Sequence, residues 1–179
     1  FRSKGVTGIY LNDNNLKGAV TSELKALTQL QELSLFNNEL TILNVDNNFK
    51  LKNLTCYNNQ LTSINVSNNL ELSELLCDEN LLTTLDISNN TKLKTLWCNR
   101  NQLHSLNVST NSQLESLLCG DNQLQTLDVR NCSQLKTLRC YSNNLSELDI
   151  SNNLNLEQLE AFYNPSLLYI RSEERRVGK

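Results

Sequence analysis

Leu33, Leu54, Leu75, Leu96, Leu117, Leu138 and Leu159 recur every 21 residues. A chain tied to such a period folds as stacked copies of one small unit. One earlier unit begins at Ile9 and is three residues longer. The chemistry inside each unit repeats as well: Leu54 is followed by Cys56, Asn59, Leu61, Ile64, Val66 and Leu72. The alternation Leu54-x-Cys56 has the period of a strand with one buried face, and Ile64-x-Val66 repeats it farther along. Each coil is therefore expected to carry two short strands joined by tight turns, and stacking gives two parallel sheets around a dry core. No unit can bury its apolar edge alone, so stability comes from neighbours. Each buried Leu or Ile contributes about 1.5–3 kcal/mol. The first unit departs from the pattern. Leu24, Leu27 and Leu30 have helical spacing and Thr21 or Ser22 can cap them, so one short helix is expected near residues 22–29.

Asn14, Asn38, Asn59, Asn80, Asn101, Asn122, Asn143 and Asn164 hold one position in all eight coils. Eight identical amides make no catalytic set. An inward amide instead satisfies the backbone groups that a sharp turn strands inside a coil, which predicts an asparagine ladder. A second column, Asn48, Asn69, Asn90, Asn111, Cys132 and Asn153, suits the opposite turn. Five of the six cysteines form a third column: Cys56, Cys77, Cys98, Cys119 and Cys140. Leu35 and Ala161 replace cysteine at its ends, which marks small apolar core filler. Parallel neighbouring strands hold their Cβ atoms farther apart than a relaxed disulfide needs, so free buried thiols are expected. There is no Cys-x-x-Cys, and His104 stands elsewhere at a surface position, so no metal site is expected.

The pattern LxxLxCxxNxL, as in Leu51–Leu61, resembles the leucine-rich-repeat family across nearly all of residues 6–170. The 21-residue coils, with LDIS at 85–88 and 148–151, resemble repeats of bacterial secreted or surface proteins of the internalin-like group. The opening GVTGIYLNDNNLKGAV resembles the first coils of plant receptor ectodomains, with Thr21 where that pattern usually has Pro. This resemblance implies a mainly β, right-handed, curved solenoid of about eight coils. Its parallel sheet would line the concave face, with short strands or turns on the convex one. It also implies that partners bind the concave sheet and that the protein is extracellular or on the cell surface.

Binding information is expected at the positions the repeat leaves free. One residue after each leading Leu the column reads Tyr10, Ser34, Thr55, Leu76, Trp97, Leu118, Arg139 and Glu160. Three after it the column reads Asn12, Phe36, Tyr57, Asp78, Asn99, Gly120, Tyr141 and Phe162. Six of the chain's ten aromatics fall in these two columns, although the outer side of a sheet should be polar. Leu76, Trp97 and Leu118 are neighbours there, and a rimmed apolar stripe marks an interaction surface. The candidate ligand-binding set is therefore Tyr10, Phe36, Tyr57, Leu76, Asp78, Trp97, Asn99, Leu118, Arg139, Tyr141 and Phe162. The alternative is that strand propensity alone placed the aromatics. Glu74, Asp78, Glu79 and Asp121 lie beside the stripe and suit a basic partner.

These positions favour a protein ligand, with a glycan as the second choice. No cofactor is expected, nor catalysis, for there is no phosphate loop and no nucleophile–base pair. Alternative readings are a substrate-targeting arm of a larger enzyme and a structural surface stalk. No apolar run approaches the ~20 residues of a membrane span. Arg171–Lys179 lacks the repeat and resembles the conceptual translation of a sequencing adapter, so the repeat domain is taken as 1–170. Without that tail's four basic and two acidic residues, 12 basic and 17 acidic remain, a net charge of −5. Nucleic-acid binding, which needs a basic stripe, is not expected. The sequence opens on Phe1 in mid-pattern and is read as a piece of a longer chain with its caps missing.

Overall fold

The computed structural model describes residues 5–172. Its main sheet has eight parallel strands, each three residues long and centred on a repeat Leu or Ile9. In spatial order these are β1 (Gly8–Tyr10), β3 (Glu32–Ser34), β5 (Asn53–Thr55), β6 (Glu74–Leu76), β7 (Thr95–Trp97), β8 (Ser116–Leu118), β9 (Thr137–Arg139) and β11 (Gln158–Glu160). The register is in step throughout, so Leu33, Leu54, Leu75, Leu96, Leu117, Leu138 and Leu159 form one row. Equivalent residues therefore stack one strand spacing apart, about 4.8 Å. The expected parallel solenoid of about eight coils is what the chain forms.

The second side is less regular than two sheets. β2 (Lys17–Val20) pairs β4 (Glu39–Leu43) at one end, and β10 (Glu147–Asp149) pairs β12 (Tyr169–Arg171) at the other. Between them the runs after Leu61, Leu82 and Leu103 share few backbone bonds, such as Leu81 N–H to Leu61 O at 2.9 Å and Gln102 N–H to Leu82 O at 2.8 Å. Each run closes early in an Asx turn, where Ser88 N–H donates to Asp86 Oδ1 at 2.9 Å and Ser109 N–H to Asn107 Oδ1 at 3.0 Å. These local bonds use donors that a longer ladder would need. The tail is described as far as Ser172, and Arg171 pairs with Asp149 in β10–β12. Residues 173–179 lie outside the described residues.

Residues 22–29 form no helix. Lys25 N–H donates to Ser22 O at 3.2 Å, Leu27 N–H to Leu24 O at 2.9 Å and Leu30 N–H to Leu27 O at 3.0 Å. These are successive three-residue turns. Leucines at a strict spacing of three share one face of such turns, whereas 3.6 residues per turn would rotate them apart. Leu24 and Leu30 are buried as a result, with Leu27 packed beside them. Thr21 and Ser22 do not act as side-chain caps. Their N–H groups both donate to the Glu23 carboxylate, at 2.9 Å each.

The asparagine ladder is present and explains the shape of each turn. Asn80 Nδ2 donates to Cys56 O at 3.0 Å and Cys77 O at 3.2 Å, while Asn80 Oδ1 accepts from Leu61 N–H at 3.0 Å. One amide thus closes its own turn and binds the preceding coil. Asn38, Asn59, Asn101, Asn122, Asn143 and Asn164 repeat the arrangement and are buried. Asn14, in the first described coil, is exposed and its side-chain amide donates only to Asn12 O, at 2.6 Å. In the second column each amide donates to two carbonyls, as Asn90 does to Val66 O at 3.0 Å and Asn69 O at 2.9 Å. Cys132 takes that place with longer contacts, 3.7 Å to Val108 O and 3.8 Å to Asn111 O. Asn101→Ala should lose about 1–3 kcal/mol, because it strands buried groups that cannot reach water. Asn14→Ala should lose almost nothing. Urea unfolding of the two variants checks this, and equal midpoints would remove the ladder argument.

All six cysteines are buried free thiols. Burial pushes them up, Cys56 and Cys140 to about 12 and Cys132 to about 11, from an ordinary value near 9. Above pH 9 an unfolded thiol releases its proton while the folded one keeps it, so high pH favours the unfolded chain. Stability is full below pH 9 and falls as pH climbs toward the folded values. Each thiol costs about 1.4 kcal/mol per pH unit within that window. The urea midpoint should drop between pH 8 and pH 10, and Cys56→Ala with Cys140→Ala should reduce the drop. A pH-independent midpoint would contradict the burial of the thiols.

Candidate functional site

Strand geometry turns three side chains of each coil outward from the sheet: the residues just before, just after and three after the leading Leu. The two latter columns carry all eleven residues of the predicted set, and the described structure places each of them on this open face. The column just before the Leu was missed. It reads Gly8, Glu32, Asn53, Glu74, Thr95, Ser116, Thr137 and Gln158, and strict two-residue alternation would have found it.

At the centre, β6, β7 and β8 bring Leu76, Trp97 and Leu118 into one row. Trp97 is 38% exposed, and the two leucines are half-buried beside it. The indole N–H donates to Ser116 Oγ at 3.2 Å, which orients the ring. Two residues further along each of these coils, the parallel row is polar. Asp78 Oδ1 accepts from Asn99 N–H at 2.9 Å and from Asn99 Nδ2 at 2.6 Å. Asn99 Oδ1 in turn accepts from Gly120 N–H at 2.7 Å. Burial pushes the Asp78 carboxyl above its ordinary value, partly offset by the Asn99 donors.

Aromatic pairs bracket that polar row. Phe36 and Tyr57 stack at 4.6 Å with planes 9° apart, and Tyr141 and Phe162 stack at 4.9 Å with planes 7° apart. Tyr163 meets Phe162 edge-on at 5.3 Å. Tyr141 lies over Gly120, where an added Cβ would stand 2.6 Å from the ring. The predicted residues thus fall into a central group and two flanking stacks. Tyr10 stands apart at the first strand, bonded to Glu32, and Arg139 is drawn to Glu160 at 3.1 Å.

A further column borders the face at the turn. Asp13, Asn37, Asn58, Glu79, Arg100, Asp121, Ser142 and Tyr163 all have positive φ, between 49° and 58°. Its side chains link coil to coil: Arg100 pairs with Glu79 at 2.6 Å and with Asp121 at 3.5 Å. The expected acidic cluster is therefore partly neutralised from within. Glu74 and Asp78 form no ion pair among the described residues. Over the three outward columns and this turn column stand seven acids (Asp13, Glu32, Glu74, Asp78, Glu79, Asp121 and Glu160), two arginines and no lysine.

Elsewhere, a cleft of about 260 Å³ lies between the last coils, lined by Asp128, Arg130, Glu147, Asp149, Tyr169 and Arg171. Its charges are mutually engaged: Arg130 with Asp128 at 2.6 Å, Arg171 with Asp149 at 3.5 Å, and Tyr169 with Glu147. His104 is exposed. Among the described residues no three His, Cys, Asp or Glu side chains gather to hold a metal, and no helix is long and apolar enough to cross a membrane.

The repeat, the in-register parallel strands and the turn asparagines together define a leucine-rich-repeat solenoid with 21-residue coils. A leucine-rich-repeat protein of Leptospira interrogans is similar at 29% identity over 95% of this chain and 49% of its own, with a TM-score of 0.81. The functional domain of InlJ from Listeria monocytogenes, which includes a cysteine ladder, is similar at 25% identity over 92% and 50%, with a TM-score of 0.65. The leucine-rich-repeat ectodomain of the Arabidopsis thaliana receptor kinase GASSHO1/SCHENGEN3, solved with CASPARIAN STRIP INTEGRITY FACTOR 2, is similar at 26% identity over 88% and 24%, with a TM-score of 0.67. The chain spans about half the length of the first two solved chains. No family model and no curated protein matches the sequence.

Gly120→Ala should push the Tyr141 ring aside and break its stack with Phe162, at a cost under about 1 kcal/mol because the ring can swing into solvent. Tyr141 ring resonances that stay put in the variant would show the contact to be unimportant.

Proposed function

We propose that this solenoid is a non-catalytic binding module that holds a protein ligand against the open face of its eight-stranded sheet. The observation that carries the reading is the row Leu76–Trp97–Leu118, apolar and partly exposed on a side that water should keep polar. Trp is the side chain that most often dominates binding energy, and here it is already oriented by Ser116. Leucine-rich-repeat neighbours are commonly binding modules, and the GASSHO1/SCHENGEN3 ectodomain was solved in complex with CASPARIAN STRIP INTEGRITY FACTOR 2.

A protein fits better than a glycan. The centre of the face is aliphatic as well as aromatic, with Leu76 and Leu118 flanking Trp97, which suits the apolar side chains of a protein better than a hydroxylated sugar. Resemblance to secreted and surface repeat proteins supports an extracellular or cell-surface location.

The test is comparative capture of extracellular proteins on the immobilised wild type, on Trp97→Ala and on Leu70→Ser, which changes an exposed leucine of the opposite turn. A partner held by the wild type and by Leu70→Ser should bind Trp97→Ala about 30-fold more weakly, the effect of losing a buried aromatic anchor. Circular dichroism of Trp97→Ala should match the wild type. A partner lost equally with both variants, or with neither, would place binding elsewhere.

A further inference from the structure

We propose that Tyr57 and Asp78 form an anchor for an arginine of the protein ligand, its guanidinium stacked on the free face of Tyr57 and paired with the Asp78 carboxylate. This rests on the reading of the sheet face as a protein-binding surface.

Phe36 covers one face of the Tyr57 ring, at 4.6 Å and 9°. The other face points along the row toward the next strand. There Asn58 N–H donates to Asp78 O at 3.0 Å, which keeps the two backbones in step and sets Asp78 one strand spacing on, about 4.8 Å from backbone to backbone. A guanidinium lying on Tyr57 is therefore beside the carboxylate.

The carboxylate is set for this use. Its Oδ1 is occupied by two donors from Asn99, and Asn99 is held by Gly120 N–H. Its Oδ2 accepts no hydrogen bond among the described residues. Asp78 is thus fixed before binding, so ordering it costs little when a cation arrives. The surroundings leave it without a partner. Arg100, on the neighbouring coil, is committed to Glu79 and Asp121, and Arg139 to Glu160. The face holds seven acids to two arginines, which favours a cationic partner. An arginine suits the slot better than a lysine because its planar head stacks on an aromatic ring while donating in-plane to a carboxylate.

The experiment is a titration of isotope-labelled protein, followed by amide chemical shifts, at constant ionic strength. The probes are N-acetyl-arginine methylamide, its lysine counterpart and its neutral citrulline counterpart. The arginine probe should move the Asp78 amide and the Asn99 side-chain amide saturably. The lysine probe should bind about fivefold more weakly, and citrulline should leave both signals in place. Asp78→Asn, which keeps an oxygen for Asn99, should weaken the arginine probe about tenfold, and Tyr57→Leu similarly. Equal shifts from citrulline, equal binding of lysine, or shifts unchanged in Asp78→Asn would overturn the anchor. A captured partner that depends on Trp97 but ignores Asp78→Asn would also overturn it while leaving the binding face intact. Failure of the Trp97 test would instead remove the underlying reading.

Discussion

In every coil after the first, a single asparagine amide does two jobs at once. It takes up the carbonyls stranded by the chain's tightest turn, and it holds the N–H of a residue in the coil before. Because Asn80 reaches Cys56 O, Cys77 O and Leu61 N–H together, its turn cannot form properly without the neighbouring coil in place. That dependence fixes the register. A coil slipped by one residue would lose three buried bonds as well as its leucine row. Three-residue strands are too short to hold a sheet by themselves. They persist here because, in every coil after the first, each is clamped at its end by a buried amide.

The clamp also sets the conformation next to it. The residue before each ladder asparagine sits in the left-handed region, whatever its side chain: Glu79, Arg100, Asp121 and Tyr163 do so as readily as Asn58. For most of these residues that conformation costs about 1–2 kcal/mol. The ladder's bonds offset it in every coil. The strain has a geometric use. It turns a charged or aromatic side chain up beside the open face, where Arg100 can cross-link two neighbours.

The period, the core rows and both ladders were legible in the sequence because each depends on one residue type being demanded at one place. Asn101 can be replaced by nothing that offers two donors and an acceptor at that length. The helix expected near residues 22–29 failed for a reason visible in hindsight: leucines at 24, 27 and 30 keep a period of three, not 3.6. The second sheet was overdrawn because Ile64-x-Val66 records which way side chains point, not whether neighbouring backbones bond. The left-handed column was hidden, since Glu, Arg, Ser and Tyr give no hint of positive φ. On the face, the columns could be read but not the groups within them. Nothing in the residue order says that Asp78 is held by Asn99, or that Tyr141 folds down over Gly120.

This division of labour shapes what the surface can present. The framework consumes most of its donors and acceptors internally, the Oδ1 atoms of Asn48, Asn69, Asn90, Asn111 and Asn153 being buried exceptions. The outward positions are left nearly independent of stability. Their contents should then reflect either general sheet chemistry or a partner. General sheet chemistry would scatter aromatics along the columns and mix charges of both signs. Instead the rings form two stacks around a hydrogen-bonded polar row, the leucines flank the one tryptophan, and acids outnumber cations with no lysine among them. Lys92, Lys94 and Lys136 sit in other columns, each paired to a glutamate on a neighbouring coil. Charge is thus balanced off the face and left unbalanced on it. A half-buried acid without a cation partner, such as Asp78, is a cost to the isolated protein that the Asn99 donors only partly offset. A cost confined to the surface that the fold does not need supports the proposed binding role of that face.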